Sequence, residues 1–390
     1  MEDTIAAIST ALGVGAISIV RLSGKEAIQI VNEIWKGSDL IKSPTHKIHY
    51  GKIVEKEKEI DEVLVSIMRA PNTYTGEDIV EINCHGGIAT TNKILELVLE
   101  HGARLARPGE FTERRFLNGK IDLIQAQGIK DLVDATTDEK RALAMNQLNG
   151  KVSSKIENLR QEILEKILAQ IEVNIDYPEY EDIEQLTNEQ ILPELKNIKN
   201  KMKDILKESK NGVMIQQGIK TSIVGRPNVG KSSLLNALLG EEKAIVTDIE
   251  GTTRDIVEGE IVISGVPFHI IDTAGIRKSE QLVEQIGIKK SLEMIDQSEL
   301  VLFVLNNHEK LTDQDRTILK KIEDKNKIII INKTDLKTNL EIDQLPKEEC
   351  VFMSTLKEQG LDDLKEKMKE LFHLEKIQTE DPTYLTNANS

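Results

Sequence analysis

Eight consecutive residues in the middle of the sequence have the types and spacing of a phosphate-binding loop. Gly225-Arg-Pro-Asn-Val-Gly-Lys-Ser232 follows an apolar run and precedes a helical pattern, as this motif requires. The amides of such a loop point inward and form an anion-binding nest at a helix N-terminus. Lys231 would contact the β- and γ-phosphates, and Ser232 would offer its hydroxyl to Mg²⁺. The alternative is an ordinary glycine-rich turn between a strand and a helix.

Two segments downstream have residues that could hold the metal and sense the γ-phosphate. Asp272-Thr-Ala-Gly275 follows an apolar run, where an Asp could hold Mg²⁺ through water and the Gly275 amide could contact the γ-phosphate. Gly251-Thr-Thr-Arg-Asp255 precedes it, and Thr253 is the hydroxyl most suited to join Mg²⁺. Alone, the second segment fits a polar turn equally well. Its order and spacing beside the loop favour the metal site.

A third set of residues is suited to recognise guanine. In Asn332-Lys-Thr-Asp335, the Asp335 carboxylate can accept hydrogen bonds from guanine N1–H and the 2-amino group. Adenine has an acceptor at N1 and no 2-amino group, and each failed charged hydrogen bond costs about 1.5–3 kcal/mol. We therefore expect GTP to be favoured over ATP by ~10³-fold or more. Asn332 would brace neighbouring loops, Lys333 would lie along the base, and Ser354-Thr-Leu356 would offer an amide to guanine O6.

These motifs together predict a GTP or GDP site with bound Mg²⁺. The residues expected at it are Asn228, Val229, Gly230, Lys231, Ser232, Ser233, Thr247, Asp248, Ile249, Glu250, Gly251, Thr252, Thr253, Asp272, Thr273, Ala274, Gly275, Asn332, Lys333, Asp335, Ser354, Thr355 and Leu356.

The residue that drives hydrolysis is not obvious from these motifs. Ile276 follows Asp272-Thr-Ala-Gly275, where many small GTPases have a Gln that orients the attacking water, and Ile cannot do this. The carboxylates of Glu280 and Glu284 and the guanidiniums of Arg254 and Arg277 are the candidates. For each, the alternative is a solvated charge on a loop.

The elements that must position these residues predict a multi-domain α/β protein. Residues 1–118 mix β-branched runs with short helices and form an α+β domain. Residues 119–212 have apolar residues at helical spacing and form a helical domain, to which 376–390 would return. Residues 213–375 alternate strands and helices, including a hairpin at Ser264-Gly265, and predict a doubly wound, Ras-like P-loop GTPase domain.

Further segments carry the local predictions. Strands are expected at 16–21, 63–68, 78–83, 218–224, 260–265, 266–272, 300–305, 327–332 and 350–353, and helices at 91–101, 123–148, 152–175 and 188–209.

The composition narrows the class of protein. The net charge is −15, which does not favour a broad nucleic-acid-binding surface, although a local basic patch is compatible with it. The two cysteines are far apart and favour a reducing compartment. The first residues resemble no secretion signal and no apolar stretch is long enough for a membrane, so the sequence predicts a cytoplasmic protein without a membrane partner.

Motifs along nearly the whole chain resemble those of the tRNA-modification GTPase MnmE (TrmE) family. Besides the nucleotide motifs, the resemblance rests on the N-terminal half, where other GTPases lack these signatures. The segments are Thr75-Gly-Glu-Asp78, His85-Gly-Gly87, Arg107-Pro-Gly-Glu-Phe-Thr-Glu-Arg114, Phe116-Leu-Asn118 and Asn174-Ile-Asp-Tyr-Pro178.

The resemblance implies a mechanism of hydrolysis. The family uses K⁺ in place of an arginine finger, and the K⁺ ligands would correspond to Asn228, Thr247, Ile249 and Thr252. Glu284 matches the family's water-positioning glutamate, so Glu284, Lys231 and Thr253 would be catalytic. The nucleotide domains are expected to dimerise across their nucleotide faces.

The resemblance also implies cofactors and partners. The N-terminal domain would form a homodimer and bind 5-formyltetrahydrofolate through Arg21, Glu81 and Lys120, which would otherwise be interpreted as surface charges. With the flavin-dependent partner MnmG (GidA), the family modifies the wobble uridine of certain tRNAs. The competing interpretations are a ribosome-assembly GTPase, which leaves the N-terminal region unexplained, and a non-catalytic dimeric scaffold.

The sequence departs from the family pattern at one point. The family ends in Cys-x-Gly-Lys after further helices, whereas the sequence reaches Ser390 without this signature. We therefore expect GTP hydrolysis to be retained and the helices at 123–209 to expose some apolar surface.

Overall fold

The structure of the protein is a computed structural model. This structure describes residues 3–176, 188–241, 259–272, 294–376 and 384, without the side chains of 188, 190, 241, 272 and 376. The chain separates into two compact units, Met1–Gln127 and Gly128–Ser390.

The first unit contains a seven-stranded sheet in the order β3-β4-β5-β6-β2-β1-β7. Its neighbouring strands are antiparallel except for the parallel pair β1 and β7. The elements are β1 (Ile5–Ile8), β2 (Ile17–Ser23), α1 (Ala27–Glu33), β3 (Trp35–Lys36), β4 (Lys47–Glu55), β5 (Lys58–Met68), β6 (Ile79–His85), α2 (Ile88–Glu100), β7 (Arg104–Leu105) and α3 (Glu110–Leu117). The predicted α+β character, the three predicted strands and the helix at 91–101 are confirmed.

The two faces of this sheet differ in their exposure. Alternating residues such as Val63, Val65 and Ile67 of β5 are buried beneath α1 and α2, because successive side chains of a strand point to opposite faces. The other face keeps apolar side chains exposed, including Ile48, Tyr50 and Leu64.

A helical region follows, and two predicted helices are interrupted. It comprises α4 (Leu123–Val133), α5 (Asp138–Leu148), α6 (Lys151–Ile163), a π-helical segment (Leu164–Leu168), α7 (Ala169–Asp176) and α8 (Asn188–Gln217). The single helix expected at 123–148 was wrong, because the Thr137 hydroxyl accepts a hydrogen bond from the Lys140 amide and caps a new helix. The helix expected at 152–175 contains the π-helical segment.

The last helix of this region also departs from the prediction. α8 continues eight residues beyond Ser209 to Gln217, because Ile215 is buried in the core of the following domain. Gly218 ends it with φ +74°, a conformation that favours glycine. As expected, the helix exposes apolar side chains, among them Leu192, Met202 and Leu206.

The predicted doubly wound fold is confirmed by a six-stranded sheet in the order β13-β12-β11-β8-β10-β9. All neighbouring strands are parallel except the hairpin of β9 and β10. The elements are β8 (Ile219–Val224), α9 (Lys231–Glu241), β9 (Gly259–Ile263), β10 (Val266–Asp272), β11 (Leu300–Asn306), α10 (Asp313–Lys321), β12 (Lys327–Asn332), β13 (Cys350–Phe352), α11 (Leu361–Leu371) and the 3₁₀ turns Ile342–Gln344, Lys347–Glu349 and Leu374–Lys376.

Both faces of this sheet are covered, which explains the continuous apolar runs. In β11, Leu302 and Val304 face one core, whereas Phe303 and Leu305 face the other. Among the described helices, none is both long enough and apolar enough to cross a bilayer.

Candidate guanine-nucleotide site

The phosphate-binding loop connects β8 to α9 at the carboxyl edge of the sheet. Both glycines of the loop have positive φ, +149° at Gly225 and +106° at Gly230. A Cβ on Gly230 would lie 2.1 Å from Asn332 Nδ2, and one on Gly225 would lie 2.5 Å from the Val304 carbonyl oxygen. The loop therefore passes so close to β11 and β12 that only glycine is accommodated at these two positions.

The lysine of the motif is held over this loop. Lys231 Nζ donates hydrogen bonds of 2.8 Å to the carbonyl oxygens of Gly225 and Arg226. Ser232 and Ser233 follow in the first turn of α9 and are exposed. The ammonium, an exposed hydroxyl and a helix N-terminus thus lie within one turn of chain, an arrangement suited to a phosphate and its metal ion.

Asn332 connects the phosphate loop to the loop that follows β13. Its side chain is buried and donates to the Val229 carbonyl oxygen at 2.9 Å. Its Oδ1 accepts from the Thr355 amide at 3.2 Å. One side chain therefore braces two of the predicted nucleotide loops against the end of β12.

Lys333 forms a second connection to the phosphate loop. It has φ +63°, and its Nζ donates to the Asn228 carbonyl oxygen at 2.8 Å. Asn228 itself has φ +62° and is exposed. A hydrogen bond therefore joins Lys333, whose side chain is expected along the guanine base, directly to Asn228 of the phosphate loop.

Asp335 is oriented by the last predicted motif. The Ser354 hydroxyl donates to Asp335 Oδ1 at 2.6 Å, and Ser354 is buried. This hydrogen bond lowers the pKa of the Asp335 carboxyl below its ordinary value of 3.8. The carboxylate is therefore ionised at neutral pH, as an acceptor for two guanine donors must be. Leu356, in contrast, has 83% of its surface exposed.

The remaining predicted nucleotide residues lie outside the described part of the chain. They are Thr247, Asp248, Ile249, Glu250, Gly251, Thr252, Thr253, Thr273, Ala274, Gly275 and Glu284, together with Glu280, Arg254, Arg277 and the side chain of Asp272. The backbone of Asp272 ends β10, directly beside β8, with which it pairs through Ile223.

Sequence reasoning did not identify Arg226 or its partners. The Arg226 guanidinium contacts Asp315 at 2.9 Å and Glu309 at 2.9 Å. The only signal was a basic residue inside the phosphate loop, which the motif pattern leaves unrestricted.

In the first unit, two of the three predicted folate residues pair with each other. Arg21 of β2 and Glu81 of β6 are register partners, and Arg21 Nε donates to Glu81 Oε1 at 2.7 Å. The rings of Tyr74 and Phe111 lie 5.8 Å from the Arg21 guanidinium carbon. Lys120 lies against Gly76, in the same loop as Tyr74. The two rings were not foreseen from the sequence.

The motif that begins at Arg107 forms a buried ionic network in this unit. Arg114 is fully buried and contacts Asp3 at 2.8 Å and Glu77 at 3.1 Å. Glu110 accepts hydrogen bonds from the Arg104 guanidinium and the Arg107 amide, which lower the pKa of its carboxyl to about 2. These residues therefore fix α3 against the sheet.

Comparison with known proteins agrees with this architecture. Residues 4–120 match the family described as GTP-binding protein TrmE N-terminus, and residues 123–390 match the MnmE helical domain. The chain is 53% identical to the tRNA modification GTPase MnmE of Streptococcus mutans over 99% of its length and 85% of that protein. It is 54% identical to the MnmE of Ligilactobacillus salivarius over 95% of this chain and 81% of that protein.

A solved GTPase domain is also similar in sequence. The G domain of the T. maritima FeoB iron transporter is 28% identical, covering 40% of this chain and 98% of that one, with a TM-score of 0.28. The family itself is shown by the curated relatives and by the two matches that cover almost the whole chain. On that basis the chain is a GTP-hydrolysing enzyme and belongs to the MnmE (TrmE) family of tRNA-modification GTPases.

Proposed function

We propose that this chain is a K⁺-activated GTPase that acts with the flavin-dependent partner MnmG (GidA) on tRNA. Together they would modify the wobble uridine of certain tRNAs by a carboxymethylaminomethyl-type addition, with a tetrahydrofolate derivative as the one-carbon donor. The observation that carries the GTPase part is the bracing of the phosphate loop by Asn332 and Lys333, next to the ionised carboxylate of Asp335.

In this proposal, the described residues bind and orient the nucleotide. Lys231 and the loop amides hold the phosphates, Asp335 recognises the guanine edge, and Ser232 would hold Mg²⁺ together with Thr253, which lies outside the described part of the chain. The metal supplies charge neutralisation at the phosphate oxygens. The other residues of the predicted set, including those outside the described part of the chain, complete the site.

We assign the K⁺ ligands to Asn228, Thr247, Ile249 and Thr252. Asn228 supports this assignment because its left-handed backbone is fixed by the bond from Lys333, while the residue remains exposed. A monovalent cation near the phosphates supplies the positive charge that an arginine finger provides in other GTPases. Glu284 would then position the attacking water.

Initial rates of GTP hydrolysis in KCl and in NaCl at equal ionic strength test this assignment. We expect a rate at least ~10-fold higher in KCl, and loss of this difference in Asn228→Ala. Asn339→Ala is the matched control, since Asn339 is also exposed but belongs to the loop after β12. Equal rates in both salts would remove K⁺ from the mechanism and direct attention to Arg254 and Arg277.

For the first unit we propose a site for 5-formyltetrahydrofolate at Arg21, Glu81 and Lys120. The charges and the rings of Tyr74 and Phe111 share one region of the unit, and stacking on rings suits a pterin. Calorimetric titration with 5-formyltetrahydrofolate should give binding at least ~10-fold weaker in Lys120→Ala than in the wild type. Lys42→Ala, which removes an exposed lysine elsewhere, should bind normally. Equal affinity in all three proteins would contradict the site.

We propose that the first unit also forms the homodimer. Ile17, Ile48, Tyr50 and Leu64 lie on one sheet face and are 45–71% exposed, which suggests a surface that another copy covers. Sedimentation equilibrium should show that Leu64→Glu dissociates the dimer, whereas Leu105→Glu at the sheet edge does not. A monomeric wild-type protein, or an unaffected Leu64→Glu dimer, would contradict this proposal.

The domain boundaries and the cellular context are proposals of the same kind. We place domains at 1–118, at 119–212 with 376–390, and at 213–375, and the protein in the cytoplasm.

Because the net charge is −15, we assign most tRNA contact to the partner. Purified chain and MnmG should co-sediment with each other, and omission of either should abolish wobble-uridine modification. Modification by MnmG alone would refute the shared role.

A further inference from the structure

Arg226 lies in the phosphate loop, but its side chain pairs with groups after β11. Its Nε lies 2.9 Å from Asp315 Oδ2, and its terminal nitrogen lies 2.9 Å from Glu309 Oε2. The Arg226 side chain is 18% exposed and Asp315 is fully buried, so this interaction is shielded from bulk water, whereas Glu309 is 49% exposed. The guanidinium is therefore held in place by two carboxylates in a geometry that a single-point cation cannot reproduce.

Asp315 is a rigid acceptor for this guanidinium. It is fully buried and lies in the first turn of α10. Its Oδ2 accepts hydrogen bonds from the Thr312 amide at 2.9 Å and from the Thr312 hydroxyl at 2.8 Å, completing a capping box. The carboxylate cannot move without uncapping the helix, so it fixes Arg226 to α10.

Glu309 extends the connection to the base-recognition strand. Its Oε1 accepts from the Asn306 side-chain amide at 2.6 Å. Asn306 is the last residue of β11 and pairs in register with Asn332 of β12. The phosphate loop is thus attached to the ends of β11 and β12 from two sides, by Arg226 and by Asn332.

The backbone of Arg226 participates in the phosphate site itself. Its carbonyl oxygen accepts one of the two hydrogen bonds from Lys231 Nζ. Immobilising the Arg226 side chain therefore fixes a main-chain group that positions the phosphate-binding ammonium.

We propose that Arg226 is a positioning residue that holds the phosphate loop in its nucleotide-binding conformation through Asp315 and Glu309. The proposal rests on the nucleotide site proposed above and adds the residue that sets its affinity. Without this attachment the loop populates other conformations, and the apparent Kd rises in inverse proportion to the competent fraction. Once GDP or GTP is bound, its phosphates hold the loop amides, so the chemical step is unchanged.

The test measures the Kd of a fluorescent GDP analogue and the kcat of GTP hydrolysis in the full chain. Arg226→Ala should raise the Kd at least ~10-fold and leave kcat within ~2-fold. Arg226→Lys should recover part of the affinity, because lysine keeps the charge but offers no fork to two carboxylates. Arg316→Ala is the matched control, since Arg316 is the neighbour of Asp315 in α10 and is 54% exposed.

Asp315→Asn keeps the assay informative even if Arg226→Ala does not fold. Asp315→Asn should raise the Kd of the GDP analogue as Arg226→Ala does. The variant that carries both substitutions should have the same Kd as Arg226→Ala alone, because both remove the same interaction. An unchanged Kd in Arg226→Ala and Asp315→Asn, or a fall in kcat at unchanged Kd, would overturn the positioning role. A wild-type protein that binds no GDP would instead overturn the nucleotide site, and the role of Arg226 with it.

Discussion

Replacement of Gly230 by alanine should disable the phosphate loop through one methyl group. Gly230 has φ +106°, and the new Cβ would lie 2.1 Å from Asn332 Nδ2. Neither the Asn332 amide nor the loop can stay in place at this separation. We expect the loop of the free protein to move away from β12, so that GDP binding must restore it.

The cost of restoring the loop follows from two interactions. An alanine at positive φ costs roughly 1–2 kcal/mol. Displacement of the Asn332 amide breaks its 2.9 Å bond to the buried Val229 carbonyl, which costs about 1–3 kcal/mol. The sum of roughly 2–5 kcal/mol corresponds to a GDP affinity at least ~30-fold lower.

Titration with a fluorescent GDP analogue measures this loss directly. Gly240→Ala is the matched control, because Gly240 lies inside α9 and, among the described residues, no atom outside its own stretch of helix would lie within 4 Å of its new Cβ. The control should bind GDP normally and unfold at an equal or higher denaturant concentration, since alanine favours the helix by about 1 kcal/mol. If Gly230→Ala bound GDP with the affinity of the wild type, the close approach of Gly230 to Asn332 would not be required for nucleotide binding.

Two further predictions concern carboxylates with lowered pKa values. Ser354→Ala removes the hydrogen bond to Asp335, so the pKa of Asp335 should rise. Titrations should then give ~5–10-fold weaker GDP binding at pH 7. As the pH is lowered, the variant should lose GDP binding at a higher pH than the wild type does. The same loss of affinity at low pH in both proteins would contradict this prediction. The pKa of Glu110 is lowered from 4.5 to about 2, so its stabilisation is complete above about pH 4.5 and lost as pH falls through about 2. Glu110→Gln should lower the free energy of unfolding, measured in urea at pH 7, by ~2 kcal/mol and should flatten its dependence on pH. A variant as stable as the wild type would show that the ionic network does not stabilise the fold.

The sheet of the nucleotide domain was predictable because its sequence signals are local. β11 and β12 are continuous apolar runs, as strands buried on both faces require, and the hairpin turn at Ser264-Gly265 is marked by its glycine. The phosphate loop was predictable for the same reason, since its residues are consecutive.

The helix boundaries were less predictable because competing interactions decided them. Apolar periodicity continues past Thr137, but the capping bond from the Lys140 amide starts a new helix there. Conversely, the sequence pattern predicts that the helix ends at Ser209, whereas burial of Ile215 in the next core continues α8 to Gln217. Tertiary packing and a local cap thus outweighed the sequence pattern.

The connections within the site could not be predicted from spacing. Arg226 and Asp315 are 89 residues apart, and Lys333 and Asn228 are 105 residues apart. Their encounter depends on the strand order, which places the ends of β8, β11 and β12 side by side. The sequence predicts which residues recognise the nucleotide, and the topology determines which residues hold them in place.

The guanine specificity of the site is tested most directly by the steady-state hydrolysis of GTP and of ATP in KCl, before and after Asp335→Ala. We expect a kcat/KM for GTP ~10³-fold or more above that for ATP, and loss of most of this preference when the carboxylate is removed. Equal use of both nucleotides by the wild-type chain, or a preference that survives Asp335→Ala, would contradict the assignment of this site to guanine.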